Sequence, residues 1–140
     1  MAETKSKLKR DLKRTNNALA SLNRELASQM VLLASQTGDT APLIQAVAAL
    51  RSAEKLYSIE NTPHENAEVQ QALADTLLTL GRANHDIEAL EHAVSAYRGA
   101  ITLASLLGDD VLRRDLKRNY GLAKSLLGDQ TKAQSLFTAA

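Results

Sequence analysis

The stretch RNYGLAKSLLGDQTKAQSLFTAA, residues 118–140, sets how the rest of the chain is read, because its small and large residues recur at the intervals that two packed antiparallel helices need. Gly121 precedes Gly128 by seven residues, Ala133 follows five later, Phe137 four after that and Ala140 three after that. The spacing predicts a helical hairpin. Gly121 would let a second helix cross close to the first backbone, with Ala133 as the small residue that meets it. Gly128 would take the left-handed conformation that ends a helix, and Asp129 would cap the next one. Tyr120, Phe137 and Ala140 would complete the buried seam.

Outward from this stretch, composition points the same way. The chain has 140 residues, 44% hydrophobic and 24% charged, which suits one domain of ordinary make-up able to bury a core. Ala and Leu dominate, aromatics are 3%, Trp is absent, and Gly and Pro number only 6 and 2, so long helices are favoured over a sheet with many turns. The expected fold class is all-α. With no cysteine there is no disulfide framework, no thiolate zinc site and no Cys nucleophile. The basic N-terminus is not followed by an apolar run, because Asp11, Lys13, Arg14, Asn16 and Asn17 interrupt it, so no signal peptide is expected. No window approaches the roughly 18 uninterrupted apolar residues of a membrane span, and the cytoplasm is the default location.

The first helix is expected from about Thr4 to Gln36, where there is neither Gly nor Pro and where Leu8, Leu12, Leu19, Leu22, Leu26, Met30 and Leu33 recur at helical steps. Leu12, Leu19, Leu26 and Leu33 are strictly seven apart, as in a coiled-coil seam, while Thr15 and Gln29 interrupt the companion positions. Folding back onto the rest of the chain is the preferred reading of that pattern. Residues 1–17 form its basic start, expected to be partly disordered. A second helix runs from Pro42 to about Ser58. Thr62, Pro63 and Glu65 then supply a cap, a first-turn proline and a capping box for a third helix that ends at Gly81. Asn84 or Asp86 caps a fourth helix reaching Leu107, and Asp109 or Asp110 opens a fifth ending at Leu127. A sixth starts at Asp129, giving about three antiparallel helix pairs.

An internal echo supports repetition. Leu43, Ala46, Val47, Ala49, Leu50, Arg51, Ala53 and Leu56 correspond to Leu90, Ala93, Val94, Ala96, Tyr97, Arg98, Ala100 and Leu103, all at an offset of forty-seven, and the same offset carries Leu73, Leu80 and Gly81 onto Tyr120, Leu127 and Gly128. Together these residues resemble the tetratricopeptide repeat. That family's pattern of small residues at its eighth, twentieth and twenty-seventh positions, Gly near the fifteenth and an aromatic at the twenty-fourth is met by Gly121, Ala133, Ala140, Gly128 and Phe137. Lys117 and Lys124 depart from its two large positions. In the middle copy Ala74, Ala93, Tyr97 and Ala100 take the equivalent places across a stretched turn, residues 82–86, which looks like the longer-repeat branch of bacterial tetratricopeptide proteins. In the first copy Val31 stands at the small position.

The resemblance implies a short α-solenoid of residues 1–140 with a long N-terminal helix, and a non-enzymatic module that binds a peptide or protein partner in its helical groove. Carried over by position, the groove residues would be Glu68, Gln71, Asp75 and Leu78, then Asp115, Arg118, Leu122 and Ser125. The family's carboxylate clamp is not expected, because Asp115 and Ala72 stand where two of its residues would be.

Charge offers a second reading. Net charge is +1, yet six basic residues (Lys5, Lys7, Lys9, Arg10, Lys13, Arg14) against Glu3 and Asp11 give the first fourteen residues +4. Lys9, Arg10, Lys13 and Arg14 form one cationic turn, and Arg113, Arg114, Lys117 and Arg118 another. Both turns would suit an acidic protein surface, phosphate or anionic lipid, or are solvated faces helped by Asp11 and Asp115, and the N-terminal one, Lys5 to Arg14, would act as an electrostatic tether to anionic lipid or nucleic acid. Nucleic acid is disfavoured, since Tyr97, Tyr120 and Phe137 are claimed by the core and only Tyr57 is left for base stacking. A third reading is self-assembly into a homo-oligomer through the terminal helices, with Phe137 on an exposed apolar end. No catalytic residue, metal site or cofactor is nominated: His64, His85 and His92 lack helical ligand spacing, and Glu88 with His92 reads as an ion pair one turn apart.

Overall fold

The computed structural model describes residues 2–139. Five helices account for most of them: α1 (Ala2–Thr37), α2 (Ala41–Leu56), α3 (Pro63–Asn84), α4 (Ile87–Leu107) and α5 (Asp110–Ala139). The expectation of an all-α chain holds, and no strand occurs among the described residues. None of these helices is long and apolar enough to cross a membrane.

Each helix packs on the next, and α3 also meets α5. Alanine makes the close crossings feasible. Ala20, Ala27 and Ala34, seven apart on α1, are all buried, and Ala46, Ala49 and Ala53 are buried on α2. Side chains of this size let two helix axes approach at the short end of the 8–10 Å range. The main core cluster then runs from Ala20 and Ala27 through Leu50, Leu73, Leu77, Leu90 and Tyr97 to Leu116 and Ala123 on α5. A smaller cluster of Ala34, Leu43, Leu80 and Ala89 closes the end where α1 and α3 finish and α2 and α4 start. The forty-seven-residue echo has a counterpart in burial. Leu43 and Leu90, Ala46 and Ala93, Leu50 and Tyr97, and Ala53 and Ala100 are buried pair by pair, while Arg51 and Arg98 are both exposed.

The turns follow local chemistry. Thr37 hydroxyl and the Asp39 carboxylate accept from Asp39 and Ala41 N–H groups to organise residues 38–40. Asp86 Oδ1 accepts from Ala89 N at 3.2 Å and Asp109 Oδ1 from Leu112 N at 3.1 Å, as N-cap carboxylates do. Gly108, at φ +69°, ends α4 in the left-handed region. Pro63 opens α3 as expected, but the capping box does not form. Thr62 Oγ1 turns back instead, donating to Ser58 O at 3.0 Å and accepting from Ser58 N at 2.9 Å.

Further expectations are corrected. Among the described residues there is no sixth helix: α5 passes through Gly128 without a break, so the expected three helix pairs become two pairs followed by one 30-residue helix. A glycine inside a helix costs only about 0.8–1.0 kcal/mol relative to alanine, too little to end one by itself. Nothing crosses at Gly121 or Gly128, Ala133 is exposed, and Phe137 is 86% exposed rather than sealed in a seam; Ala140 lies outside the described residues. Gly81 does not stop α3 either. A Cβ there would lie 2.7 Å from Leu90 Cγ and 3.1 Å from Leu90 N, so this glycine is where α4 crosses closely, and His85 at φ +51° ends the helix, donating its backbone N–H to Gly81 O. Finally, Val31 faces outward while Ala27 and Ala34 take the buried positions of α1, which begins at Ala2.

Candidate functional site

Two broad faces of α3 are open to inspection, and they differ in kind. On the first, Glu68 accepts from the Arg24 guanidinium of α1 at 2.7 Å, and Arg24 also stands 6.0 Å from the Tyr57 ring centroid. One turn and three residues further along, Asp75 Oδ1 accepts from the Tyr97 hydroxyl of α4 and from Asn119 Nδ2 of α5 at 3.3 Å. Burial raises the Asp75 pKa although both of those hydrogen bonds work the other way; burial also raises that of Tyr97, reinforced by the neighbouring carboxylate. This face is therefore stitched to α1 and α5 by polar side chains.

The eight residues expected to line a groove distribute unevenly over it. Leu78 is buried in the core, and Asp75 is half-buried and occupied by Tyr97 and Asn119. Glu68 is paired with Arg24, and Gln71 is half-buried. On α5, Arg118 pairs with Asp115 at 3.5 Å, while Leu122 and Ser125 are exposed. The hydrogen bond from Asn119 to Asp75 joins the α3 stretch to the α5 stretch, while Leu78 is turned into the core.

A concave surface lies on the opposite side of α3, between α2 and α4. Its floor is Gln70, Leu73 and Leu77, and its walls carry Arg51 and Glu54 from α2 and His92, Ser95, Ala96 and Gly99 from α4. Gln70 Nε2 donates to Asn66 Oδ1 at 2.6 Å, and Asn66 Nδ2 donates to Tyr57 O at 3.3 Å, so the amide is held with Oε1 toward α4. A Cβ at Gly99 would sit 3.3 Å from that Oε1. Through Gln70 the trough continues in two directions, to Tyr57, Ser58 and Glu60 and to Arg98, Thr102 and Leu103. Ile59 and Leu106, 61% and 79% exposed, give it apolar rims. The signal for this surface in the sequence is that Arg51 and Arg98 recur at the forty-seven-residue offset although neither is buried.

The cationic turns remain solvated. Lys9, Arg10, Lys13 and Arg14 are exposed on α1; Arg113 pairs with Asp110 at 3.5 Å, and Arg114 and Lys117 stand beside them on α5. Tyr120 receives a 3.4 Å hydrogen bond from Arg98, which lowers its pKa, and Lys124 stands 5.0 Å from its ring centroid. Among the described residues no cluster of three or more His, Cys, Asp or Glu could hold a metal ion. His92 Nε2 is 3.7 Å from Glu88, the one-turn pair expected, and His85 Nδ1 meets Gln130 Nε2 at 2.9 Å across to α5. No protein-family model, no curated protein and no solved structure matches the chain.

Proposed function

We propose that the protein is a non-enzymatic docking module: a short α-solenoid of tetratricopeptide-like helix pairs that holds a segment of a partner protein in the trough between α2 and α4. The observation that carries this reading is the continuity of that trough across α3 through Gln70, with polar groups at its centre and Ile59 and Leu106 at its rim. An extended or helical segment with apolar side chains near its ends and hydrogen-bonding groups between them is its chemical complement. Arg51, Glu54 and Arg98 would orient the segment rather than supply most of the affinity. The equal burial of matching residues in α2 and α4 supports treating the two helices as equivalent members of a stack.

The test is a peptide selection on the wild-type chain followed by titrations with variants. Gly99→Leu fills the trough and Ile59→Asp removes a rim anchor; both should weaken a selected peptide by 10-fold or more, about 1.4 kcal/mol. Arg118→Glu, on the other side of α3, should leave it unchanged. Binding that ignores Gly99→Leu but collapses with Arg118→Glu would move the docking surface to the face first expected from the sequence.

A further inference from the structure

The helix that opens the chain carries two stripes, and only one of them is used. Ala20, Ala27 and Ala34 face the body; Leu8, Leu12, Leu19, Leu22, Leu26 and Leu33 do not, and each is between 42% and 66% exposed. At about 100° per residue the leucine stripe is turned roughly a third of a turn from the alanines, on the side away from the Arg24–Glu68 pair that marks α3, although Leu12 also lines a cleft with Leu56 at the end of α2. Aliphatic surface of that length, from Leu8 to Leu33, is far more than the scattered exposed leucine that a surface tolerates.

From the period of the stripe and the chemistry of its interruptions we infer that its occupant is the same stripe of a second copy of this chain, in a parallel two-stranded seam. Leu12, Leu19, Leu26 and Leu33 repeat every seven residues, with Leu8, Thr15, Leu22 and Gln29 alternating with them, which is the 3.5-residue spacing that keeps a seam on a partner helix. In a parallel pair each residue meets its own counterpart. Leucine then meets leucine in six layers, Thr15 meets Thr15, and Gln29 meets Gln29, whose amide can both donate and accept. An antiparallel pair matching the two rows would set Thr15 against Leu26 and Gln29 against Leu12, leaving both polar groups facing hydrocarbon. Flanking residues agree: a parallel pair puts Asp11 beside Asn16 and Glu25 beside Met30 of the other copy, with no like charges opposed.

Anionic lipid is the competing occupant, since Lys7, Lys9, Arg10, Lys13 and Arg14 lie off the stripe in its first part and Lys5 stands one heptad before Leu12 on its row. Beyond Arg14, however, α1 has one further cation, Arg24, which is engaged with Glu68, and it has no aromatic residue, while the leucines continue to Leu33. The size of the seam sets its strength. From Leu8 to Leu33 it is about 38 Å long and, at a helix width of about 12 Å, would bury on the order of 1,000 Å² in total, the lower edge of a stable interface. Dimerisation is therefore concentration-dependent in the micromolar range rather than permanent.

Sedimentation equilibrium from about 1 to 200 µM should give a monomer–dimer equilibrium for the wild-type chain. Leu19→Glu and Leu26→Glu, which leave the alanine stripe alone, should each weaken it by about 100-fold or more, with the helical circular dichroism of the dilute protein unchanged. Phe137→Glu, on the overhanging end of α5, should not alter it. Because the chain has no cysteine, Gln29→Cys can be oxidised alone: a parallel seam gives a disulfide-linked dimer that retains its helicity. A wild-type monomer throughout, a dimer indifferent to Leu26→Glu, or one abolished by Phe137→Glu instead would overturn the proposal. So would a monomer whose α1 binds vesicles containing anionic phospholipid and loses them with Leu26→Glu, which would give the stripe to lipid. Failure of Gln29→Cys to cross-link a proven dimer would overturn the parallel arrangement.

Discussion

Replacing Gly128 by alanine separates two architectures by the sign of a stability change. If α5 is one helix from Asp110 onward, Gly128 is an interior helical residue with no atom within 4 Å of the space a Cβ would take. Alanine there gains about 0.8–1.0 kcal/mol through the smaller backbone entropy lost on folding. In a chain of this length that is about 3 °C in Tm, read by thermal or urea denaturation. Gly121 sits seven residues earlier, on the part of α5 that packs on α4, with the same open space. At roughly 10 Å along the axis the two changes should add, to about 1.5–2 kcal/mol in the double variant. Residues 131–138 are exposed, so Gly128→Ala gains its full value only if that end unfolds with the body, whereas Gly121→Ala is free of that condition. A hairpin at the same place demands the reverse. Gly128 would then hold a positive φ and Gly121 a tight crossing, and alanine would cost about 1–2 kcal/mol at the first and 1–3 at the second. A double variant that melts below wild type would refute the unbroken helix.

Gly81→Ala should behave oppositely to the α5 pair: its Cβ would lie within 3.1 Å of three Leu90 atoms, one of them backbone, and overpacking of this kind costs about 1–3 kcal/mol in urea unfolding. His85→Gly should stabilise by about 0.5–1 kcal/mol, because a non-glycine residue there holds φ +51°, and the loss of its contact with Gln130 is an exposed one; a lowered Tm would mean that contact matters more than the backbone. Asp75 should leave a signature in pH. Burial raises its pKa above 3.8, so the folded chain holds the proton more tightly than the unfolded one; the contribution is most favourable below 3.8 and is lost as pH rises through the raised value. Measured against a shared low-pH baseline, Asp75→Asn should therefore gain stability relative to wild type as pH rises, and a difference that stays flat from pH 3 to 7 would contradict the assignment. Tyr97→Phe removes the hydroxyl that donates to Asp75 and should cost about 1–2 kcal/mol at neutral pH by equilibrium unfolding.

Helix content, the starts of α2 to α5 and the matching burial of α2 and α4 were legible because apolar period, Pro63, Asp86 and Asp109 act locally, within a turn or two of where they stand. Glycines were not legible in the same way. Gly108, Gly81 and Gly128 each follow a leucine, yet one takes positive φ, one admits Leu90 and one does neither, and the difference lies in what the rest of the chain brings against them. The groove residues illustrate the same limit. Asp75 was placed on an outer face by position, but its carboxylate meets Tyr97 from 22 residues away and Asn119 from 44, partners that spacing within α3 cannot indicate.

α1 shows why a period alone underdetermines burial. Its leucines and its alanines both repeat every seven residues, so either stripe could face the body, and hydrophobicity favours leucine. The structure turns the alanines inward because α2 presents alanines of its own, and close axes bring many backbone and Cβ atoms into contact where leucines would hold the helices apart. That choice leaves the larger apolar surface without an internal partner. The arrangement that makes α1 and α2 compact is thus the same one that leaves an exposed leucine stripe, which links the packing of one chain to the association proposed for it: widening the crossing with Ala27→Leu should both destabilise the α1–α2 pair and disturb dimerisation, whereas Leu26→Glu should touch only the second.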